Sequence, residues 1–194
     1  MLRTIQNLKG CCVLAAVGMT AMMVSGAAAD TVVLSFDSQP GFTGDDRFSV
    51  STEHLHWWDD GYASQGVMYA WDMENDGPAL GRLKVDAADG FEIAGLSFEL
   101  AGYRDVASSL SFEFYVDGIL QNATADLEFD GASTLFTMSL PKVMGSSFEI
   151  VLDNYLAPAH VGLDNVTFEL NAIPAPGAVA LLGLAGLTAR RRRS

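Results

Sequence analysis

Trp57, Trp58, Tyr62, Tyr69 and Trp71 crowd one stretch of the chain, interleaved with Asp59, Asp60, Asp72 and Asn75. Flat aromatic faces stack on the C–H faces of sugar rings, and neighbouring carboxylates and amides bond the hydroxyls. The bulk of tryptophan also makes it a core filler. Adjacent side chains on a strand point to opposite faces, so one of Trp57 and Trp58 is expected at the surface. The candidate glycan-binding residues are therefore Trp57, Trp58, Tyr62, Trp71 and Asp72. His54 and His56 alternate on a possible strand and would share a face. With Glu53, Asp59 or Asp60 they offer metal ligands, against the plainer reading of ordinary loop histidines.

Motifs for hydrolysis, phosphate binding and dinucleotide binding are missing from the sequence. Acid pairs such as Asp45-Asp46 and Asp59-Asp60 suit a glycosidase in principle, but 24 acidic residues produce such pairs by chance. The expectation is a protein that is not an enzyme. The alternative is a secreted glycan-active enzyme or its accessory module. Its mark would be a cleft with two carboxylates about 5–10 Å apart.

Charge is sharply partitioned. All 24 acidic residues lie between Asp30 and Glu169, where the only basic residues are Arg47, Arg82, Lys84, Arg104 and Lys142. That body carries a net −19, and both flanking segments are purely basic. Such a body repels phosphate backbones, which excludes nucleic acid as a partner and favours neutral glycans or cations. Acidity also serves solubility alone. Cys11 and Cys12 both precede the body, which therefore has no disulfide or thiolate chemistry.

The flanks read as processing segments. Arg3 and Lys9 precede an uncharged run, 11–24, and small residues then lead to Ala29. These are the three parts of a secretory signal peptide, 1–29, with signal peptidase expected to cut after Ala29. At the other end, residues 173–189 carry no charge, and Pro174 and Pro176 mark the entry to an apolar helix. At about 1.5 Å per residue that run is roughly 25 Å long, marginal for a bilayer core. Arg190, Arg191, Arg192 and Arg193 then favour the cytoplasmic side, leaving the body outside.

Pro174, Ala175, Pro176 and Gly177, the short Leu/Ala/Gly-rich run and the arginine cluster together resemble the PEP-CTERM sorting signal of Gram-negative bacteria. The usual motif is Pro-Glu-Pro, so the tail is a Pro-Ala-Pro-Gly variant. The resemblance implies an exosortase-like processing enzyme, transient anchoring in the inner membrane, and a final place at the cell surface or outside the cell. It covers about 22 residues, 173–194, and implies nothing about the body.

Between the flanks, residues 30–172 alternate apolar and polar side chains in short runs: 31–36, 47–52, 66–71, 81–85, 95–100, 110–116, 119–123, 135–139, 147–152 and 166–170. Asp117-Gly118 is a hairpin turn signal. The pattern predicts an all-β, antiparallel β-sandwich, jelly-roll-like, flanked by the signal helix and the C-terminal apolar helix. One long region, 53–78, which holds the aromatic cluster, does not alternate cleanly as a whole.

Leu163-Asp164-Asn165-Val166 is similar to the last strand of galactose-binding-like and carbohydrate-binding jelly rolls. That resemblance implies a structural Ca2+ held by the acid, here Asp164, with oxygen ligands near the first strand. Asp37 is the partner by position. The plainer reading is a turn-forming Asp-Asn pair.

Overall fold

The computed structural model describes residues 29–38, 45–64, 66–74, 77, 80–131, 134–153 and 161–174. The expected signal peptide up to residue 28, Asn75, and the tail from Ala175 onward, with its Pro176, Gly177 and arginines 190–193, lie outside them.

Where the sequence alternates, the chain forms strands. These are β1 (Asp30–Leu34), β2 (Phe48–Glu53), β3 (Leu55–Trp58), β4 (Val67–Ala70), β5 (Leu80–Ala87), β6 (Phe91–Ala101), β7 (Ala107–Val116), β8 (Ile119–Asp130), β9 (Leu135–Ser139), β10 (Ser147–Asp153) and β11 (Gly162–Ala172). In β7 every second side chain from Ser108 to Val116 is buried, the signature of a strand with one face on a core.

Two antiparallel sheets result, a β-sandwich. One runs β3-β4-β11-β6-β9, with β1 also paired to β11, and the other runs β2-β5-β10-β7-β8. From β4 onward the chain passes repeatedly between the sheets, giving the orders 4-11-6-9 and 5-10-7-8. That is the strand layout of a jelly roll. The described residues hold no α-helix, and no helix among them is long and apolar enough to cross a membrane.

Phenylalanines stitch the sheets together. Phe98 of β6 meets Phe112 of β7 edge-on at 5.1 Å, and Phe168 of β11 meets Phe148 of β10 at 5.5 Å. All four are buried. Edge-to-face pairs of this kind add about 0.5–1.5 kcal/mol each beyond the area they bury.

Three details differ from the alternation pattern. An eleventh strand, β3, lies inside the poorly alternating region, because Leu55 and Trp57 face the core while His56 and Trp58 face away. The first strand stops at Leu34 because the Phe36 amide bonds a side chain, Asp164, instead of a ladder partner. The last strand reaches from Gly162 to Ala172, with a bulge around Asn165, which sits at φ 47°.

Register defines two poles. Asp30 pairs with Leu170 and Phe91 with Ala172, so the chain enters and leaves the sandwich at one pole. Gly162 pairs with Tyr69 and with Ala101 at the other.

The Asp117-Gly118 turn closes β7 onto β8 at the entry pole, both residues at positive φ (49° and 74°) as a primed hairpin turn requires. The Ser146 hydroxyl donates to the Asp117 carboxylate at 2.8 Å, and the Ser146 and Ser147 amides donate at 2.9 Å. The Ser146 hydroxyl bond first, then the two amides, hold this carboxyl below its usual range against mild desolvation. A depressed folded pKa contributes stability above the unfolded value, about 3.9, that is lost as pH falls through the lower folded one. Asp117→Asn keeps a residue that tolerates positive φ. It is expected to flatten the fall in stability below about pH 4 and to cost about 1 kcal/mol at neutral pH. Urea titrations from pH 2 to 7 check this.

Candidate functional site

The site is built at the pole away from the chain entry. β3 and β4 form a short ribbon at the edge of their sheet, pairing His56 with Tyr69 and Trp58 with Val67. Alternation sends the two adjacent tryptophans apart. Trp57 packs against the core and its Nε1 donates to the Phe36 carbonyl at 2.8 Å. Trp58 faces outward and is 44% exposed.

After Trp58 the chain folds back over the outer face of the sheet and docks on the turn that follows β6. The Arg104 amide donates to the Gly61 carbonyl at 2.6 Å, and the Ala63 amide donates to Gly102 at 3.3 Å. Tyr62 lies opposite Tyr103, their rings 4.9 Å apart. Gly61 is required here. It sits at φ 84°, and a Cβ on it would come within 2.7 Å of the Tyr103 ring. Arg104 lays its guanidinium 5.0 Å from the centre of the Tyr103 ring and pairs with Asp60 at 3.1 Å.

Trp58, Tyr62, Tyr69 and Tyr103 thereby line a cleft of about 210 Å³. Trp58 and Tyr69 meet edge-on at 6.4 Å. A drug-sized ligand needs roughly 300–1,000 Å³, so this volume suits one ring of a larger molecule. Burial pushes the Tyr62 phenol far above its ordinary value and raises Tyr69 as well. Both hydroxyls stay protonated and keep a proton to donate.

Tyr62 also walls a second, open groove of about 480 Å³, lined by Asp37, Asp59, Gly61, Ala63 and Ser64. One tyrosine thus separates an aromatic cleft from a groove carrying two carboxylates. The arrangement can stack a flat apolar face on one side and accept hydrogen bonds from hydroxyls on the other.

Beneath the groove lies Asp164, 0% exposed. Its Oδ1 accepts from the amides of Phe36 at 3.0 Å and Asn165 at 2.7 Å. Its Oδ2 accepts from the Ser64 hydroxyl and from Asn165 Nδ2. Asn165 Nδ2 in turn reaches Glu99 at 2.9 Å. Both carboxylate oxygens are therefore occupied by protein donors. Calcium needs six to eight oxygen ligands. Among the described residues no group of three or more His, Cys, Asp or Glu side chains gathers around a common point. Among the described residues, those around Asp164 do not make a calcium cage. Asp37 lies in the groove, its carboxylate accepting from Ser35 Oγ at 2.6 Å.

Of the other sequence candidates, Trp58 and Tyr62 are in the cleft, whereas Trp57 and Trp71 are not among its lining residues. Trp71 extends the ribbon, its amide donating to His54 and its carbonyl accepting from His56 Nε2 at 3.0 Å. A carbonyl cannot donate, so this nitrogen carries the imidazole proton. Asp72 caps a turn by accepting the Glu74 amide at 2.9 Å. His54 sits at φ 49° between β2 and β3, so it does not alternate with His56 and the pair does not share a strand face. Pro174 is exposed just beyond β11. Tyr103 and Arg104 escaped the sequence reading. They follow β6, far along the chain from the aromatic cluster, and nothing local marks a tyrosine that a distant loop will meet.

No protein-family profile matches the sequence, and no curated protein is significantly similar to it. Solved structures are similar at low identity. A family 32 carbohydrate-binding module of Clostridium perfringens NanJ, in complex with galactose, is 9% identical, covering 64% of this chain and 93% of that one, with a TM-score of 0.37. A family 29 carbohydrate-binding module from Piromyces equi is 14% identical over 73% and 91% of the two chains, with a TM-score of 0.41. A Stig cyclase from Fischerella sp. TAU is 11% identical over 79% and 93%, with a TM-score of 0.40.

The Asp164 geometry sets one expectation. Asp164→Ala strands the Phe36 amide and the Ser64 hydroxyl and should cost on the order of 3–5 kcal/mol. EDTA should leave the melting temperature of the unmodified protein unchanged. A chelator-dependent drop in Tm would contradict this assignment of the carboxylate.

Proposed function

We propose that this chain is an exported, non-catalytic glycan-binding protein of a Gram-negative cell surface or extracellular matrix. In this reading signal peptidase removes 1–29 and the sandwich, 30–172, is the binding domain. An exosortase-like enzyme reads the 173–194 tail while the protein is held in the inner membrane. The sequence features of the two flanks support the export part of the reading. The cleft supports the binding part.

The single observation that carries it is Trp58, half out of the protein in a cleft whose other walls are Tyr62, Tyr69 and Tyr103. The core is closed by phenylalanines and aliphatic side chains without this residue. An indole left in water beside three phenols is suited to stacking on a pyranose ring. The phenolic hydroxyls and the carboxylates of Asp37 and Asp59 offer donors and acceptors for sugar hydroxyls. All five basic side chains of the body stand in ion pairs: Arg47 with Asp30 and Asp45, Arg82 with Glu53 and Glu149, Lys84 with Asp86, Arg104 with Asp60, Lys142 with Glu169. A neutral glycan therefore suits the site better than an anionic one. Calcium forms no part of the binding step.

A second reading, a glycan-active enzyme, draws on one observation: Asp37 and Asp59 line the same groove. It requires turnover that is lost in both Asp37→Asn and Asp59→Asn.

Glycan-array binding followed by titration of the best-bound glycan tests the proposal. Trp58→Ala should weaken binding at least about tenfold, the equivalent of roughly 1.4 kcal/mol, with little loss of stability. Trp57→Ala should instead destabilise the fold by about 3 kcal/mol. Equal binding by Trp58→Ala and the unmodified protein, or hydrolysis of the bound glycan, would overturn the reading.

A further inference from the structure

The pole at which the chain enters and leaves is not dressed like the rest of the surface. Of the ten large apolar side chains exposed among the described residues, four gather there: Ile119 (66%), Leu120 (50%), Ile173 (50%) and Met144 (36%). Register and hydrogen bonds place them. Val116 pairs with Ile119 beside the Asp117 turn, and the Asp117 carboxylate accepts the Ser146 amide, two residues from Met144. Gly145 pairs with Ile93, which pairs with Leu170 opposite Asp30. Asn171 Nδ2 contacts Met144 Sδ at 3.8 Å, and the Ile173 amide donates to Gly90.

The two uncharged stretches of the sequence join the sandwich at this same pole. Residues 11–24 precede Asp30, and residues 173–189 follow Ala172. The tryptophans lie elsewhere. Trp57 is level with Met68, and Met68 with Leu163. From Leu163 to Ala172 is nine strand steps, about 30 Å at roughly 3.3 Å each. Trp58 belongs to the same short ribbon and Trp71 extends it, at the cleft end.

We propose that the sandwich stands on the lipid–water interface on the pole formed by Ile119, Leu120, Met144 and Ile173, with the cleft held at the far end, facing away from the bilayer. This rests on the reading that the apolar tail enters the membrane. The occupant is a bilayer because the described chain ends at this pole, immediately before the uncharged run that the proposed function places in the membrane. Side chains that cost solubility in water gain burial among headgroups once the tether brings them there. Apolar contact rather than charge carries the footing: Asp89, Glu92 and Asp117 are acidic neighbours, and the basic side chains at this pole, Arg47 and Lys142, stand in ion pairs with Asp30, Asp45 and Glu169. The consequence is that the cleft is presented away from the bilayer.

The chain is its own ruler, because all three tryptophans sit at the cleft end. The full chain is reconstituted with phosphatidylcholine vesicles, floated on a density gradient, and its emission compared with vesicles brominated on their acyl chains. The native tryptophans should keep their emission in brominated vesicles. Leu120→Trp, and independently Ile119→Trp, should add emission that brominated lipid removes. Both positions are exposed, so neither change disturbs the core. Failure to float removes the membrane reading and this footing with it. Flotation with quenched native tryptophans, or with an unquenched indole at both 119 and 120, overturns the orientation and leaves the membrane reading standing.

Discussion

A single buried carboxylate holds the functional end of this molecule together. Asp164 has no solvent exposure, in a body whose five basic side chains are all paired elsewhere. A buried charge is tolerable only if its lone pairs are filled. Here the filling groups come from three places in the chain: the Phe36 amide just past β1, the Ser64 hydroxyl in the loop after β3, and the Asn165 amide and side chain in the bulge of β11. Each donor satisfies a carboxyl oxygen, and the carboxyl in turn pins each donor's segment. That mutual dependence turns a side chain on the outer face of a sheet into the fastening of a loop.

The cleft follows from the fastening. With Ser64 pinned from below and Gly61 and Ala63 bonded to the turn after β6, residues 59–64 have little freedom left. Tyr62 is then forced against Tyr103, and Trp58 and Tyr69 complete the walls from the adjoining ribbon. Rigid strands place two of the four rings and fastened loops the other two. Preorganised rings lose little entropy on binding a ligand, which is what a weak stacking contact needs. The described walls of the cleft are aromatic, while the neighbouring groove carries the carboxylates of Asp37 and Asp59.

Much of the scaffold was legible because its signals are local. Alternation in 110–116 marks β7, and Asp117-Gly118 marks its turn, since both depend on residues adjacent in sequence. The opposite facing of Trp57 and Trp58 is equally local, a matter of strand period. What was not legible depends on long-range meetings. Tyr103 joins Tyr62 across two loops, and no periodicity reports that. His54 broke an expected alternation because its positive φ turns the chain between two strands in different sheets. Asp164 was singled out through a resemblance that implies a metal, and the donors that fill it, the amide of Phe36 and the hydroxyl of Ser64, are identifiable only once the strands are assembled. Chemistry-bearing residue types were visible in the sequence, and their partners were not.

Amide hydrogen exchange on Asp164→Asn beside the unmodified protein tests the fastening most directly. In the unmodified protein the amides of Phe36, Ala63 and Arg104 should exchange as slowly as those of the central strands β10 and β7. In the variant, protection at those three amides should collapse while β10 and β7 keep theirs. Rapid exchange at Phe36, Ala63 and Arg104 in the unmodified protein, or unchanged protection there in the variant, would show that the carboxylate does not hold the cleft.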